Sequence, residues 1–302
     1  MTRRAIPFSL VGAGRVGSSL AMSLEQSGWE CKCVVIKGGG RPQLTRLKSA
    51  FHDAEIVDHP SLVCSDFKIL LIAVQDDEIQ NVVAELSAVR RVDWSSKVVF
   101  HSSGVKKVGI LSPLKKLGAD IGGLHPIAAF ANEYQPAAAR GIYYDFAGDK
   151  PAESFAREIT KLLSSRLIIL RNERQRVLLH IASAIASNST VVAVRSAEDL
   201  ISSFVDPCDA KAMMAGLLKS TVENLSANSG MKSLTGPLAR GDIGVISTHI
   251  KALESESSLL QFYKSWSLLA VDLLLKDKAD KGRYSRDEHR TLKEIIKLLE
   301  EK

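Results

Sequence analysis

The sequence predicts an α/β chain in which a doubly wound parallel sheet is followed by an all-helical domain. Short apolar runs alternate with helical patterns as far as Leu170, which is typical of a sheet covered by helices on both faces. From Asn172 onward helical periodicity dominates. The length of 302 residues favours two domains, and we place them at residues 1–170 and 171–302.

The first strand, turn and helix contain the most informative motif. The apolar run Phe8 to Val11 ends in G-x-G-x-x-G, and a helical pattern then runs to Gly28. In this context the first glycine permits a tight turn, the second admits a pyrophosphate close to the backbone, and the third allows close helix–strand packing. The motif favours dinucleotide binding over a glycine-rich turn without a ligand. The predicted phosphate-binding loop comprises Gly12, Ala13, Gly14, Arg15, Val16 and Gly17.

The end of the second strand, CKCVVIK, predicts which dinucleotide is bound. NAD-binding domains place a carboxylate there to accept hydrogen bonds from the ribose. This chain has Lys37 instead, followed by three glycines and Arg41. Because two cations would pair with a 2′-phosphate, we expect NADP(H) rather than NAD(H). The alternative is that Lys37 and Arg41 are solvated surface cations.

Two further strands end in polar loops that we expect to lie at the ligand edge of the sheet. KILLIAV ends near Val74, Gln75 and Asp76, which are predicted cofactor contacts, although Asp76 or Asp77 is more simply expected to cap the helix beginning near Glu78. KVVFH ends in His101. His101, Ser102 and Ser103 are candidate contacts near the nicotinamide, and Gly104 of the same loop is a further predicted cofactor contact.

A second polar group lies on a predicted long helix, Glu173 to Arg195, whose Ala- and Ser-rich middle we expect to be buried in close helix packing. His180 and Asn188 lie eight residues apart on one face of it. Their partners are either a ligand or neighbouring helices. Arg240, in the loop SLTGPLARGD, is a candidate clamp for a carboxylate or phosphate, unless it only pairs with Asp242.

Composition excludes several classes of function. The net charge of +6 is spread out and no basic run is interleaved with aromatics, so we expect no nucleic-acid partner. The four cysteines have no metal-binding spacing, and we expect reduced thiols in a cytoplasmic protein with no metal site. We also expect neither a signal peptide nor a membrane-spanning run. A last amphipathic helix, capped by Ser285, is predicted to run through Leu299.

The ordered set LVGAGRVGSSLA, IAVQDDEI, FHSSG, GLHPIAAF, HIASAIASN and SLTGPLARGD resembles a family of Rossmann-like proteins whose C-terminal half is domain of unknown function 2520. The layout is similar to pyrroline-5-carboxylate reductase, prephenate dehydrogenase, ketopantoate reductase and 3-hydroxyacid dehydrogenases. The helical half resembles the C-terminal domain of 6-phosphogluconate dehydrogenase. The resemblance implies a homodimer formed through the helical domain and a substrate site in the interdomain cleft.

The resemblance also implies roles for single residues. His125-Pro126 resembles the His-Pro element of prephenate dehydrogenases, and Ala184 stands where 3-hydroxyacid dehydrogenases have a lysine four residues before an asparagine. Proton transfer would then fall to His180 or His125, with Asn188 as orienter and Arg240 as anion clamp. We expect an NADP(H)-dependent oxidoreductase acting on a small carbonyl, imine or hydroxy acid. The alternative is a regulatory or assembly protein that binds NADP(H) without turning it over.

Overall fold

The computed structural model describes residues 5–38, 41–280 and 285–301, without the side chains of 41–43, 278–280 and 286. The chain divides into two compact units, Met1–Ser189 and Thr190–Lys302. The predicted boundary after residue 170 falls just after the last strand of the sheet, and the domain division at that point stays a prediction.

The first unit contains a single eight-stranded sheet with the order β3-β2-β1-β4-β5-β6-β7-β8. Its strands are β1 (Pro7–Val11), β2 (Glu30–Val35), β3 (Glu55–Val57), β4 (Ile69–Ile72), β5 (Val98–His101), β6 (Asp120–Ile127), β7 (Tyr143–Gly148) and β8 (Arg166–Ile169). Its helices are α1 (Arg15–Glu25), α2 (Arg41–Ala50), α3 (Ile79–Ser87), α4 (Ser112–Lys116), α5 (Lys150–Leu162) and α6 (Glu173–Ala186).

The sheet is covered on both faces, as the sequence predicts. Leu10 of β1 packs with Leu24 of α1 in one core, whereas the adjacent Val11 packs with Val83 of α3 in another. Successive residues of a strand point to opposite faces, so a strand buried on both sides is apolar throughout. All four residues of β4 are buried for this reason.

One pair of strands departs from the expected parallel arrangement. β7 runs antiparallel to β6, and β8 is parallel to β7. The segment between β6 and β7 contains only a short 3₁₀ turn, Pro136–Ala139. A parallel connection needs a longer crossover, commonly a helix, so the chain instead turns back along the neighbouring strand. This reversal places residue 125 directly opposite residue 145.

The predicted long helix is interrupted. α6 ends at Ala186, Ser187 forms a turn, and α7 (Asn188–Ile201) follows at once. The expected burial of this stretch is wrong: Ile185 is 64% exposed and Val191 is 68% exposed, because no described element of the chain covers them. Residues 173–201 are also long and apolar enough to span a bilayer by length and composition, contrary to our expectation, and none of the apolar window is buried.

The second unit is helical, as predicted. Its remaining helices are α8 (Pro207–Ala227), α9 (Pro237–Arg240), α10 (Ile243–Ala252), α11 (Ser257–Asp280) and α12 (Arg286–Glu300). The core is formed by α9 to α12, with Ile246, Val271 and Ile295 fully buried. A capping box between Ser285 and Glu288 begins α12, which confirms the predicted last helix. By contrast, α8 buries only Ala210 and exposes several large apolar side chains.

Candidate functional site

The glycine-rich turn has the geometry that its spacing predicts. Gly12 has a φ of +92°, and an added Cβ would lie 2.6 Å from the Ala73 carbonyl oxygen. A Cβ on Gly17 would lie 2.0 Å from the Gly12 carbonyl oxygen, so the third glycine permits the close approach of α1 to the strand end. Gly14 differs, because a Cβ there would meet no atom within 4 Å.

Gly14 is the N-cap residue of α1 and makes no side-chain capping bond. The first turn, with Ala13 before it and Arg15 and Val16 within it, therefore presents backbone N–H groups and the positive end of the helix dipole. Open space at Gly14 lies directly beside these donors. The arrangement suits a phosphate or pyrophosphate group.

A cavity of about 410 Å³ adjoins this turn at the ends of β1, β2 and β4. The structure brings four predicted cofactor contacts to its wall: Gly12, Lys37, Val74 and Gln75. The Lys37 ammonium lies 3.2 Å from a Glu78 carboxylate oxygen, and its side chain is 80% exposed. Lys37 therefore has a carboxylate partner within the cavity that the sequence analysis missed. The predicted partner of Lys37, the Arg41 side chain, lies outside the described residues.

The expected cap at the start of α3 is wrong. Residues Asp76–Glu78 form a 3₁₀ turn, and α3 begins at Ile79 without a side-chain capping bond. The Asp77 carboxylate instead accepts a hydrogen bond from the Lys106 ammonium at 2.9 Å. This bond lowers the pKa of Asp77 and ties the loop after β4 to the loop after β5.

The Ser102-Ser103-Gly104 loop lies at the carboxyl end of β5, as predicted. The Ser103 hydroxyl accepts hydrogen bonds from the Val105 and Lys106 amides at 3.2 and 3.0 Å, so it shapes its own loop. A Cβ on Gly104 would lie 2.7 Å from His180 Cδ2 and 2.9 Å from His125 Nε2. The backbone of Gly104 is therefore in close contact with both histidines.

His125 is held by a carboxylate from the neighbouring strand. Its Nδ1 lies 2.8 Å from Asp145 Oδ2, and the Asp145 side chain is only 2% exposed. Because a carboxylate accepts the proton of Nδ1, the opposite nitrogen, Nε2, is left to exchange a proton with a ligand. Sequence reasoning found His125 but missed Asp145, because the pair depends on the antiparallel register of β6 and β7.

Two further buried side chains, those of Arg176 and His101, lie near the His125–Asp145 pair. Arg176 of α6 lies with Nη1 3.5 Å from Asp145 Oδ1 and donates a 3.0 Å hydrogen bond to the Ser103 carbonyl oxygen. His101 is fully buried at the end of β5, and burial, together with the nearby positive charges of Arg176 and His125, lowers its pKa to about 3. His101 is therefore neutral at physiological pH. The Arg176 cation partly compensates the buried Asp145 charge.

A second cavity, of about 450 Å³, is lined by His125, Ala128, His180, Ser183 and Asn188 among other residues. The rings of His125 and His180 are tilted by 52° to each other, with centroids 6.0 Å apart. The structure thus brings together three of the four predicted catalytic residues. The other walls combine alanines with the polar side chains of Ser183 and Asn188, so the cavity fits a small molecule with polar groups.

Arg240, the fourth predicted catalytic residue, lies in the second unit at the end of α9. Its guanidinium makes a two-pronged contact with Asp242, through Nε at 2.8 Å and Nη2 at 2.7 Å. This is the pairing left open by the sequence. The role of Arg240 as an anion clamp stays a prediction.

No cluster of three or more His, Cys, Asp or Glu side chains that could hold a metal ion occurs among the described residues. Near the second cavity, His125 and Asp145 form a hydrogen-bonded pair, and Asp145 and Arg176 form a buried ion pair. A histidine paired with a carboxylate in this way is suited to proton donation and acceptance.

Three solved structures share this fold. BF3122 of Bacteroides fragilis, described as a proposed NADP oxidoreductase, has a TM-score of 0.72 at 20% identity, over 87% of this chain and 96% of that chain. TM1727 of Thermotoga maritima has a TM-score of 0.68 at 18% identity, over 90% and 99%. The Plasmodium falciparum pyrroline carboxylate reductase with NADP bound has a TM-score of 0.56 at 15% identity, over 91% and 97%.

Two family models match the sequence, and they follow one another along the chain. Residues 2–126 match a Rossmann-like domain, and residues 142–269 match the domain of unknown function DUF2520. No curated protein sequence matches this chain. These matches agree with the resemblance seen in the motifs: the chain carries an N-terminal Rossmann-like domain followed by a DUF2520 domain.

Proposed function

We propose that this protein is a nicotinamide-dependent oxidoreductase that acts on a small carbonyl, imine or hydroxy acid. The observation that carries the proposal is the His125–Asp145 pair beside a cavity, on the same sheet edge as a glycine turn suited to a pyrophosphate. Neighbouring strands lie about 4.8 Å apart, and the carboxyl ends of β1, β4, β5 and β6 lie at the same edge of the sheet. One extended ligand bound along this edge would therefore reach both cavities.

The residues of the glycine turn would hold the pyrophosphate, and Lys37 would contact the ribose end, with a 2′-phosphate favouring NADP(H). When bound, the cofactor supplies or accepts a hydride. The chain supplies the proton: His125, protonated at Nε2, donates to the oxygen or nitrogen of the acceptor. Asp145 stabilises the imidazolium and fixes the ring orientation, while His180 and Asn188 orient the substrate. The NADP oxidoreductase and the NADP-bound reductase that share the fold support this proposal.

The same proposal includes a homodimer in the cytoplasm. α8 exposes 62% of Leu217 and 53% of Met213, and α7 exposes most of Val191. Large apolar side chains exposed in this way on a single chain are typical of an interface. A second copy of this chain, with its own identical apolar helices, is the occupant that we propose.

The glycine turn gives a direct test of cofactor binding. Gly14 has φ −75° and ψ −167°, a conformation that any residue adopts, and a side chain there enters open space. We expect Gly14→Val to retain the melting temperature but to weaken nicotinamide dinucleotide binding in calorimetry by at least about tenfold, roughly 1.4 kcal/mol. Gly17→Ala, the contrasting variant, should lower the melting temperature because its Cβ meets the Gly12 carbonyl. Unchanged binding by folded Gly14→Val contradicts the proposed pyrophosphate site.

Cofactor preference depends on Lys37 and its partner. Loss of a charged hydrogen bond costs roughly 1.5–3 kcal/mol, so Lys37→Ala should weaken NADPH binding by about 10- to 100-fold and leave NADH binding unchanged. Glu78→Gln frees the ammonium and should tighten NADPH binding. Lys48→Ala, a matched exposed cation on α2, is the control. Equal affinities for NADPH and NADH in the wild type, both insensitive to Lys37→Ala, rule out this preference.

Turnover separates an enzyme from a cofactor-binding protein. In an NADPH-consumption screen with small keto and imino acids, we expect His125→Asn and Asp145→Asn to lower the rate by about 10²- to 10⁴-fold, since the first removes the proton donor and the second removes the carboxylate that stabilises its protonated form. NADPH affinity should hardly change. His180→Ala should lower turnover as well, and His52→Asn, an exposed histidine of the same unit, should not. Tight NADPH binding without consumption across the panel favours the non-catalytic alternative.

The dimer is tested by the mass of the protein in solution. We expect the wild type to sediment as a dimer and Leu217→Glu to sediment as a monomer, because burying one leucine contributes roughly 1.5–3 kcal/mol and each dimer loses two such contacts. Lys219→Glu, two residues away on α8, controls for added negative charge. A monomeric wild type, or one that pellets with lipid vesicles, contradicts the proposed interface.

A further inference from the structure

Three small side chains with thiol or hydroxyl groups lie together on one face of the sheet. Ser9 of β1 and Cys33 of β2 are direct partners in the parallel ladder, and both are fully buried. Cys64 follows the 3₁₀ turn Pro60–Leu62, is only partly buried, and its Sγ lies 3.5 Å from Ser9 Oγ. Ser9 and Cys33 present their side chains to the same face of the sheet, so Cys64 lies against both.

The two thiols are chemically unequal. The Cys64 sulfur shares one hydrogen bond with the Cys33 thiol and further bonds with the Ser9 hydroxyl and the Asp66 backbone. These bonds lower the pKa of Cys64, although its partial burial and the Glu55 carboxylate oppose them. The same bond, together with burial, raises the pKa of Cys33. Cys64 is thus the thiolate of the pair and Cys33 the neutral partner.

We propose that Cys33 and Cys64 are a reversible redox pair that a hydroperoxide converts into a disulfide. The Cys64 thiolate attacks the peroxide, forming an S–O bond while the O–O bond breaks and hydroxide leaves. The Cys33 sulfur then attacks the Cys64 sulfenic acid, forming the S–S bond while the S–O bond breaks. The Cys33 proton and one solvent proton neutralise the two hydroxides, so two thiols and one hydrogen peroxide give one disulfide and two waters.

The second step is favoured by the product of the first. Once Cys64 is a neutral sulfenic acid, its negative charge no longer holds the proton on Cys33, and the Cys33 thiol ionises more readily. Cys33 belongs to the core cluster against which Cys64 packs, and Ser9, the ladder partner of Cys33, contacts Cys64, so the two thiols are neighbours before oxidation. Cys31 cannot replace Cys33. An irregularity in the pairing of β1 with β2, between Phe8 and Ser9, places Cys31 in the core on the other face of the sheet, and burial raises its pKa.

The disulfide would close a loop that contains part of the first cavity. The segment from 33 to 64 carries Val35, Lys37, His59 and Pro60, which line that cavity. Oxidation would therefore hold two walls of the cavity in one arrangement. The cross-link itself does not depend on the proposed function, whereas any effect of it on NADPH binding does.

The test treats the full-length, reduced protein with stoichiometric hydrogen peroxide and follows it by intact mass and peptide mapping. We expect a Cys33–Cys64 cross-link, with the loss of two hydrogen masses, that dithiothreitol reverses. Cys33→Ser should accumulate Cys64 sulfenic acid, which dimedone traps, and Cys64→Ser should leave Cys33 unmodified. Cys208→Ser, which removes an exposed thiol on α8, is the matched control and should cross-link like the wild type.

A second measurement tests the thiolate in the folded wild type. Iodoacetamide should alkylate Cys64 of the wild type at pH 7 about tenfold faster than Cys64 of Cys33→Ala, because alanine removes the hydrogen bond that stabilises the thiolate. Oxidation of Cys208 in preference to Cys64, or a wild type that keeps both Cys33 and Cys64 as thiols under peroxide, overturns the proposal. NADPH titration of the oxidised and reduced forms is scored separately, so failure of cofactor binding does not affect the result for the cross-link.

Discussion

The contact between the end of β1 and the start of α1 is the constraint on which the candidate site depends. Only glycines at positions 12 and 17 allow the helix to begin so close to the strand. This contact directs the first-turn amides of α1 toward the carboxyl edge of the sheet. The loops after β2, β4, β5 and β6 converge on the same edge because those strands run parallel to β1. With a different turn at Gly12, the first-turn amides of α1 would no longer point toward this edge of the sheet.

Periodicity and glycine spacing were sufficient to predict the sheet, its covering helices and the helical second half. The apolar run in β4 and the alternation around α5 are local signals, so a single sequence contains them. The interruption at Ser187 was missed because Ala and Ser continue a helical pattern without marking a break. The exposure of α6 and α7 was missed because an apolar pattern predicts burial but does not say whether the same chain covers the helix.

The candidate site was predicted only where its residues follow strands. His125, Gly104 and the glycine turn lie at positions that the order of strands and loops identifies. Asp145 and Arg176 became visible only with the antiparallel register of β6 and β7 and the position of α6. One signal of the antiparallel pairing was in the sequence: the roughly fifteen residues between β6 and β7 contain no helical pattern long enough for a parallel crossover. Likewise, the expected cap at Asp77 was overridden by Lys106, a contact distant in sequence.

The pairing of His125 with Asp145 also has a consequence for how such a chain is inherited. One partner lies inside the Rossmann-like match and the other inside the DUF2520 match, yet they form one hydrogen bond across adjacent strands. Exchange of either half by recombination would separate His125 from the carboxylate that this register places beside it. The two modules are therefore expected to evolve as a single inseparable gene segment.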